Sequence, residues 1–251
     1  MKKKYGLIGY PLGHSFSVVY FNNKFKSEHI DAEYINFEIK DVKELKYVLR
    51  ENQDLCGLNV TLPHKMDVIP LLDSLTENAR NIGAVNVIRF KKGGLFSKPH
   101  LEGHNSDITG FKQSIEPMLN KTHRKALILG TGGASKAIYH GLKQLGLESV
   151  FVSRMQENNG ITYEEISPEI MENHTVIVNA TPLGMFPKTD TCPDIPYQFL
   201  TPDHILYDLI YNPDDTLFMK KGKEAGAIVK NGLEMLLLQA FISWEIWTTE
   251  N

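Results

Sequence analysis

The stretch "LNVTLPHK" (58–65) begins as an interior strand and ends as something else. Leu58, Val60 and Leu62 alternate with Asn59 and Thr61, then Pro63 breaks the run and Lys65 follows. An amide, a hydroxyl and an amine at one strand end are unusual for an interior strand and mark a candidate site. Lys65 is a candidate proton donor, because a lysine ammonium polarises a carbonyl and gives up a proton as hydride arrives. Asp107 in "GHNSDITG" is the other candidate; a neighbouring carboxylate would keep the lysine charged, but the sequence alone does not place the two together. Asn86 in "GAVNVI" and Asn105, near Asp107, stand at further expected strand ends. Strand ends on one side of an α/β sheet are where ligands bind. Taken singly, each of these residues is also an ordinary turn or cap residue.

A second constellation lies in "LILGTGGASKA", where Gly130, Gly132 and Gly133 follow a strand and open a helix. Gly130 permits a tight turn, and Gly132 lets backbone approach a pyrophosphate whose charge meets the helix N-terminus. Ser135 stands where the pattern's third glycine would be, with the small Ala134 and Ala137 beside it. A plain strand-to-helix turn has the same glycines, but the context is that of a dinucleotide fingerprint. The next strand ends "VSRM", with Ser153 and Arg154 in place of the acidic residue that an NAD site uses for the ribose. Arg154 suits a bidentate grip on a 2′-phosphate, which favours NADP; a solvated arginine is the alternative.

The elements that must position these residues alternate strand with helix, which predicts an α/β fold with mostly parallel sheets. Strands are expected at 5–9, 32–39, 55–62 and 84–90, the last ending at the "KKGG" turn. A helix starts near Ser17 with Tyr20, Phe21 and Phe25 inward. Asp41 caps another over 42–52, with Glu44 completing a capping box. Further strands are expected at 126–129, 149–154, within 175–184 and 204–213, and at 226–232. The apolar tail 234–247 has helical spacing, with Gln239 as its polar exception.

The chain has 251 residues, is 42% hydrophobic and 23% charged, and carries a formal net charge of −3. That balance gives no nucleic-acid footprint. Cys56 and Cys192, the two cysteines, form no metal-ligand or disulfide pattern. No apolar run reaches the roughly 20 residues that span a bilayer, and the N-terminal glycines and Pro11 break a signal-like core. A cytoplasmic protein without a membrane partner is expected.

Together, "GYPLGHSFS", "NVTLPHK", "GAVNVI", "GHNSDITGF", "GTGGASKA", "NATPLGM", "YDLIYNP" and "NGLEMLLLQA" resemble the shikimate dehydrogenase family, in its order and over nearly the whole chain. The resemblance implies reversible, NADPH-dependent reduction of 3-dehydroshikimate to shikimate, on the way to chorismate and the aromatic amino acids. It implies Lys65 as acid/base paired with Asp107. It implies substrate contacts from Ser15, Ser17, Asn59, Thr61, Asn86, Asn105, Tyr211 and Gln239. On the cofactor side it adds Thr181, Met185 and Gly232 to Gly130, Gly132, Gly133, Ala134, Ser153 and Arg154. The implied architecture is a substrate domain (1–112), a Rossmann-like NADP domain (113–231) and a C-terminal helix (232–251) returning to the substrate domain. Val18, Ser106 and "VSRM" depart from the family's usual residues. The other readings are a relative using quinate or NAD, and a non-catalytic nucleotide sensor on the same fold.

Overall fold

The computed structural model describes residues 2–13, 15–91, 98–155 and 160–249. The chain divides into two compact units, Met1–Ser106 with Ala240–Asn251, and Asp107–Gln239.

The first unit is built on β1 (Lys3–Gly9), α1 (Phe16–Ser27), β2 (Ala32–Glu38), α2 (Leu45–Glu51), β3 (Leu55–Val60), β4 (Ser74–Leu75), α3 (Glu77–Ile82), β5 (Val87–Lys91) and β6 (His100–His104). Its sheet runs β2-β1-β3-β5-β6-β4. β1 pairs in parallel with β2 and β3, but β5 is antiparallel to both β3 and β6. The sheet is therefore mixed, where a mostly parallel one was expected. β6 was not anticipated: "HLEGH" has one large apolar residue, Leu101, and buries it and Gly103 in alternation. The expected turn at Lys92, Gly93 and Gly94 lies outside the described residues. Asp41 forms its capping box, accepting from Lys43 N while Glu44 accepts from Asp41 N, each at 2.8 Å. The box opens a 3-10 turn over Val42–Glu44 that leads into α2, so the expected helix is split.

Phe21 and Phe25 of α1 are buried with Tyr5, Tyr34 and Trp247 in one aromatic cluster. Trp247 lies on Gly57 of β3, where any Cβ would overlap the indole. Its Nε1 donates to Ile88 O at 3.1 Å. The end of the C-terminal helix thus fits into a notch that only glycine leaves open.

The second unit holds α4 (Asp107–Ile115), β7 (Lys125–Leu129), α5 (Gly133–Gln144), β8 (Glu148–Ser153), β9 (Ile161–Thr162), α6 (Pro168–Asn173), β10 (Val176–Asn179), β11 (Ile205–Asp208), α7 (Leu217–Glu224), β12 (Ile228–Lys230) and the start of α8 (Leu233–Thr248). Its sheet is parallel throughout, in the order β12-β11-β10-β7-β8-β9. Both faces are covered, so the strands are apolar without alternation. Ala126 and Ile128 enter one core cluster, while Leu127 and Leu129 enter the other. The chain reverses direction across the sheet between β7 and β10, and a ligand crevice opens at such a switch point.

Candidate active site

In the first unit Asn59 and Asn86, two of the polar residues singled out above, meet in one buried network. Ser17, on α1, is half-buried near Tyr34. Tyr34 donates to Asn59 Oδ1 at 2.8 Å. Asn59 Nδ2 donates to Asn86 O at 3.2 Å and to Ser243 Oγ at 3.0 Å. Asn86 Nδ2 donates to Ser106 Oγ at 2.9 Å, and Ser106 N returns a bond to Asn86 Oδ1 at 2.7 Å. Asn105 Nδ2 donates to Ala84 O at 2.9 Å. Tyr34, Asn59, Asn86, Asn105, Ser106 and Ser243 are all buried, and buried polar groups of this kind must be paired. Both amide donors of Asn59 are therefore engaged within the protein, and one lone pair of Oδ1 remains for a ligand. Tyr34, Ser106 and Ser243 were not expected from the sequence.

Ser15 is the N-cap of α1, yet its side chain makes no capping hydrogen bond. Thr61 follows β3 directly, and its N donates to Ile8 O at 2.9 Å, continuing the ladder. Lys65 lies in the turn that follows and is half-buried. The turn is anchored at both ends. Buried His64 places Nε2 2.7 Å from Ile39 O, so that nitrogen carries the proton and donates. Val85 N donates to Lys65 O at 2.7 Å. Asp107 is buried as the first residue of α4 in the second unit, where a helix N-terminus favours a carboxylate.

On the second unit, Gly130 ends β7 with φ +104, a left-handed conformation open to glycine. Gly132 caps α5, and a Cβ there would meet nothing within 4 Å. Gly133 opens the helix, with Ala134 half-exposed after it. Ser135 is fully buried, and its hydroxyl has no hydrogen-bond partner among the described residues. An unpaired buried hydroxyl is destabilising by about 1–3 kcal/mol. Ser135→Ala is accordingly expected to raise Tm by about 2–4 °C for each kcal/mol recovered, measured by calorimetry; a lower Tm would show that the hydroxyl has a partner. At the end of β8, Ser153 Oγ donates to Met155 O, which ties its hydroxyl into the turn. Arg154, next in the chain, is exposed.

The loop after β10 is organised by two side chains that drew no attention in the sequence. Asn179 Oδ1 accepts from Thr181 N at 3.0 Å and Thr181 Oγ1 at 2.7 Å. Asp208, at the end of β11 and fully buried, accepts from Asn179 Nδ2 at 3.0 Å, Ile210 N at 3.0 Å and Thr216 Oγ1 at 2.6 Å. Burial pushes the Asp208 carboxyl up to about 6, against the pull of those donors. Met185 and Tyr211 are exposed on the two loops so fixed. Gly232 has a packing reason of its own, since a Cβ would overlap the Leu209 carbonyl oxygen. Gln239 Nε2 donates to Leu236 O of its own helix at 2.9 Å. Among the described residues no cluster of side chains is suited to a metal ion, and no helix is long and apolar enough to cross a membrane.

The family model for the shikimate dehydrogenase substrate binding domain matches residues 7–88. The shikimate dehydrogenase (NADP(+)) of Desulforamulus reducens is 34% identical, over 97% of this chain and 89% of its own. Among solved structures, the shikimate 5-dehydrogenase of Thermus thermophilus, in complex with NADP(H) and shikimate, aligns with a TM-score of 0.85 at 27% identity. That alignment covers 98% of this chain and 93% of the other. The Listeria monocytogenes enzyme, in complex with shikimate and NAD, aligns at 0.85 and 28% identity, covering 100% and 93%. The chain belongs to the shikimate dehydrogenase family.

Proposed function

We propose that this chain catalyses the reversible NADPH-dependent reduction of 3-dehydroshikimate to shikimate. The observation that carries the reading is the preassembled set of strand-end amides and hydroxyls around Asn59 and Asn86. A polyhydroxylated ring needs such groups, held in place before it arrives, and a site built this way rejects analogues that lack a hydroxyl.

Lys65 is the acid/base. In the reductive direction its ammonium gives a proton to the carbonyl oxygen as the carbon gains hydride, and in the oxidative direction its neutral amine takes the proton back. Asp107 pairs with it and favours the charged form. Ser15, Ser17, Thr61, Asn105, Tyr211 and Gln239 complete the contacts to substrate. The glycine turn fits a dinucleotide: Gly130 supplies the turn, the space before Gly132 is open, and the α5 N-terminus favours a pyrophosphate. NADPH, when bound, supplies the hydride. Ser153 and Arg154 would hold the adenosine ribose and its phosphate, and Thr181 and Met185 would line the nicotinamide side.

The second reading, NAD in place of NADP, is favoured by the NAD bound in the Listeria structure. A four-way steady-state assay of shikimate or quinate with NADP⁺ or NAD⁺ separates the readings. Turnover confined to shikimate and NADP⁺ is expected. Comparable rates with NAD⁺ or quinate would make the chain the broader relative, and silence in all four arms would leave a nucleotide-binding protein without this activity. Arg154→Ala is expected to raise KM for NADP⁺ about 10-fold or more, the worth of a charge-assisted contact to phosphate, without changing KM for NAD⁺. An unchanged NADP⁺ value would remove Arg154 from the site.

A further inference from the structure

We infer that Tyr34 and Ser243 are positioning residues that clamp the Asn59 amide from its two ends and so set the shape of the substrate side. The inference rests on the shikimate dehydrogenase reading above. Tyr34 lies on β2, Asn59 on β3 and Ser243 on the C-terminal helix, and all three belong to the first unit.

The hydrogen-bond polarity of the chain is fixed by its members. Asn59 Nδ2 faces the Asn86 backbone carbonyl, which only accepts, so the nitrogen end of the amide is assigned. Oδ1 must then be the end that meets Tyr34, and Tyr34 must donate to it. The Tyr34 proton is committed there, so Asn59 keeps one Oδ1 lone pair. At the other end Ser243 Oγ takes the second Asn59 proton, and it lies 3.3 Å from Ser106 Oγ, which Asn86 also holds. One phenol and one serine hydroxyl, neither of them exposed, thus determine which polar atom of Asn59 is left to meet substrate.

The test uses the full-length chain with Tyr34→Phe, Ser243→Ala and the double variant. Each removes one hydroxyl and leaves the carbon framework in place. For each single variant, KM for shikimate is expected to rise about 3- to 10-fold, with KM for NADP⁺ within twofold of wild type. The double variant should show less than the product of the two effects, because both act through one amide. A fall in Tm with both KM values unchanged would make the residues merely structural and overturn the inference. Equal rises in both KM values, or fully multiplicative effects, would overturn it too. A wild-type chain that does not turn over shikimate would fail the parent reading and this one with it; a working wild type with unaltered variants would fail this one alone.

Discussion

Lys65→Ala is expected to lose at least about 10³-fold in kcat with shikimate and NADP⁺, near 4 kcal/mol of barrier, while holding shikimate within about threefold of wild-type affinity. The asymmetry follows from where Lys65 sits. The turn that carries it is held by its backbone carbonyl, which accepts from Val85 N, and by the preceding His64 ring on Ile39 O. Neither bond involves the Lys65 side chain, so both survive the truncation. Substrate affinity is assigned to hydroxyl and amide groups elsewhere, so binding survives while proton transfer does not. Lys65→Arg separates charge from proton transfer. A guanidinium keeps the positive charge but does not release a proton at working pH, so this variant should be nearly as slow as alanine. The measurements are steady-state rates with both variants and calorimetric titration of shikimate. Turnover near the wild-type rate in Lys65→Ala would refute the assignment outright, and wild-type rates in Lys65→Arg alone would reduce Lys65 to an electrostatic role.

The parts of this fold that were legible in the sequence are those whose physics is local. The Asp41–Glu44 capping box spans four residues and forms as expected. Gly130 was read as a turn glycine and has a positive φ. The amphipathic start of α1 places Phe21 and Phe25 inward. What was not legible depends on partners far apart in the chain. Asn59 and Ser243 are 184 residues apart, so nothing near either announces their bond. Gln239 stood out as a polar residue in an apolar helix, while Ser243, one turn later, did not, because a small hydroxyl is unremarkable at a helix position. β6 was missed because only Leu101 marks its inward face, and β5, antiparallel to both β3 and β6, is what makes the sheet mixed. Asp208 was hidden inside a buried strand sequence, "ILYD", whose last residue reads as the start of a loop.

Asp208 carries the second large prediction, which concerns stability against pH. Its carboxyl is raised by burial from 3.8 to about 6, although Thr216, Ile210 N and Asn179 all donate to it. A folded-state value above the unfolded one means that the native protein holds the extra proton between about pH 4 and pH 6. The resulting stabilisation is fully present below pH 4 and is lost as pH rises through about 6, with a full swing of about 3 kcal/mol. Asp208→Asn keeps the shape and cannot titrate, so the swing should vanish from the variant. Other carboxylates titrate in both proteins and cancel in the difference. Wild type should therefore gain about 2 kcal/mol on the variant between pH 7.5 and pH 4.5, or about 4–8 °C in relative Tm. Thermal melts of the two proteins across that range decide the point. Parallel curves would mean that Asp208 titrates near its unfolded value, with the three donors outweighing burial. Diverging curves would mean that the loops after β10 and β11 are held at neutral pH by a buried negative charge. One of the donors on that charge, Asn179, fixes Thr181 in turn. The order of the proposed nicotinamide side then follows from a residue that touches no ligand.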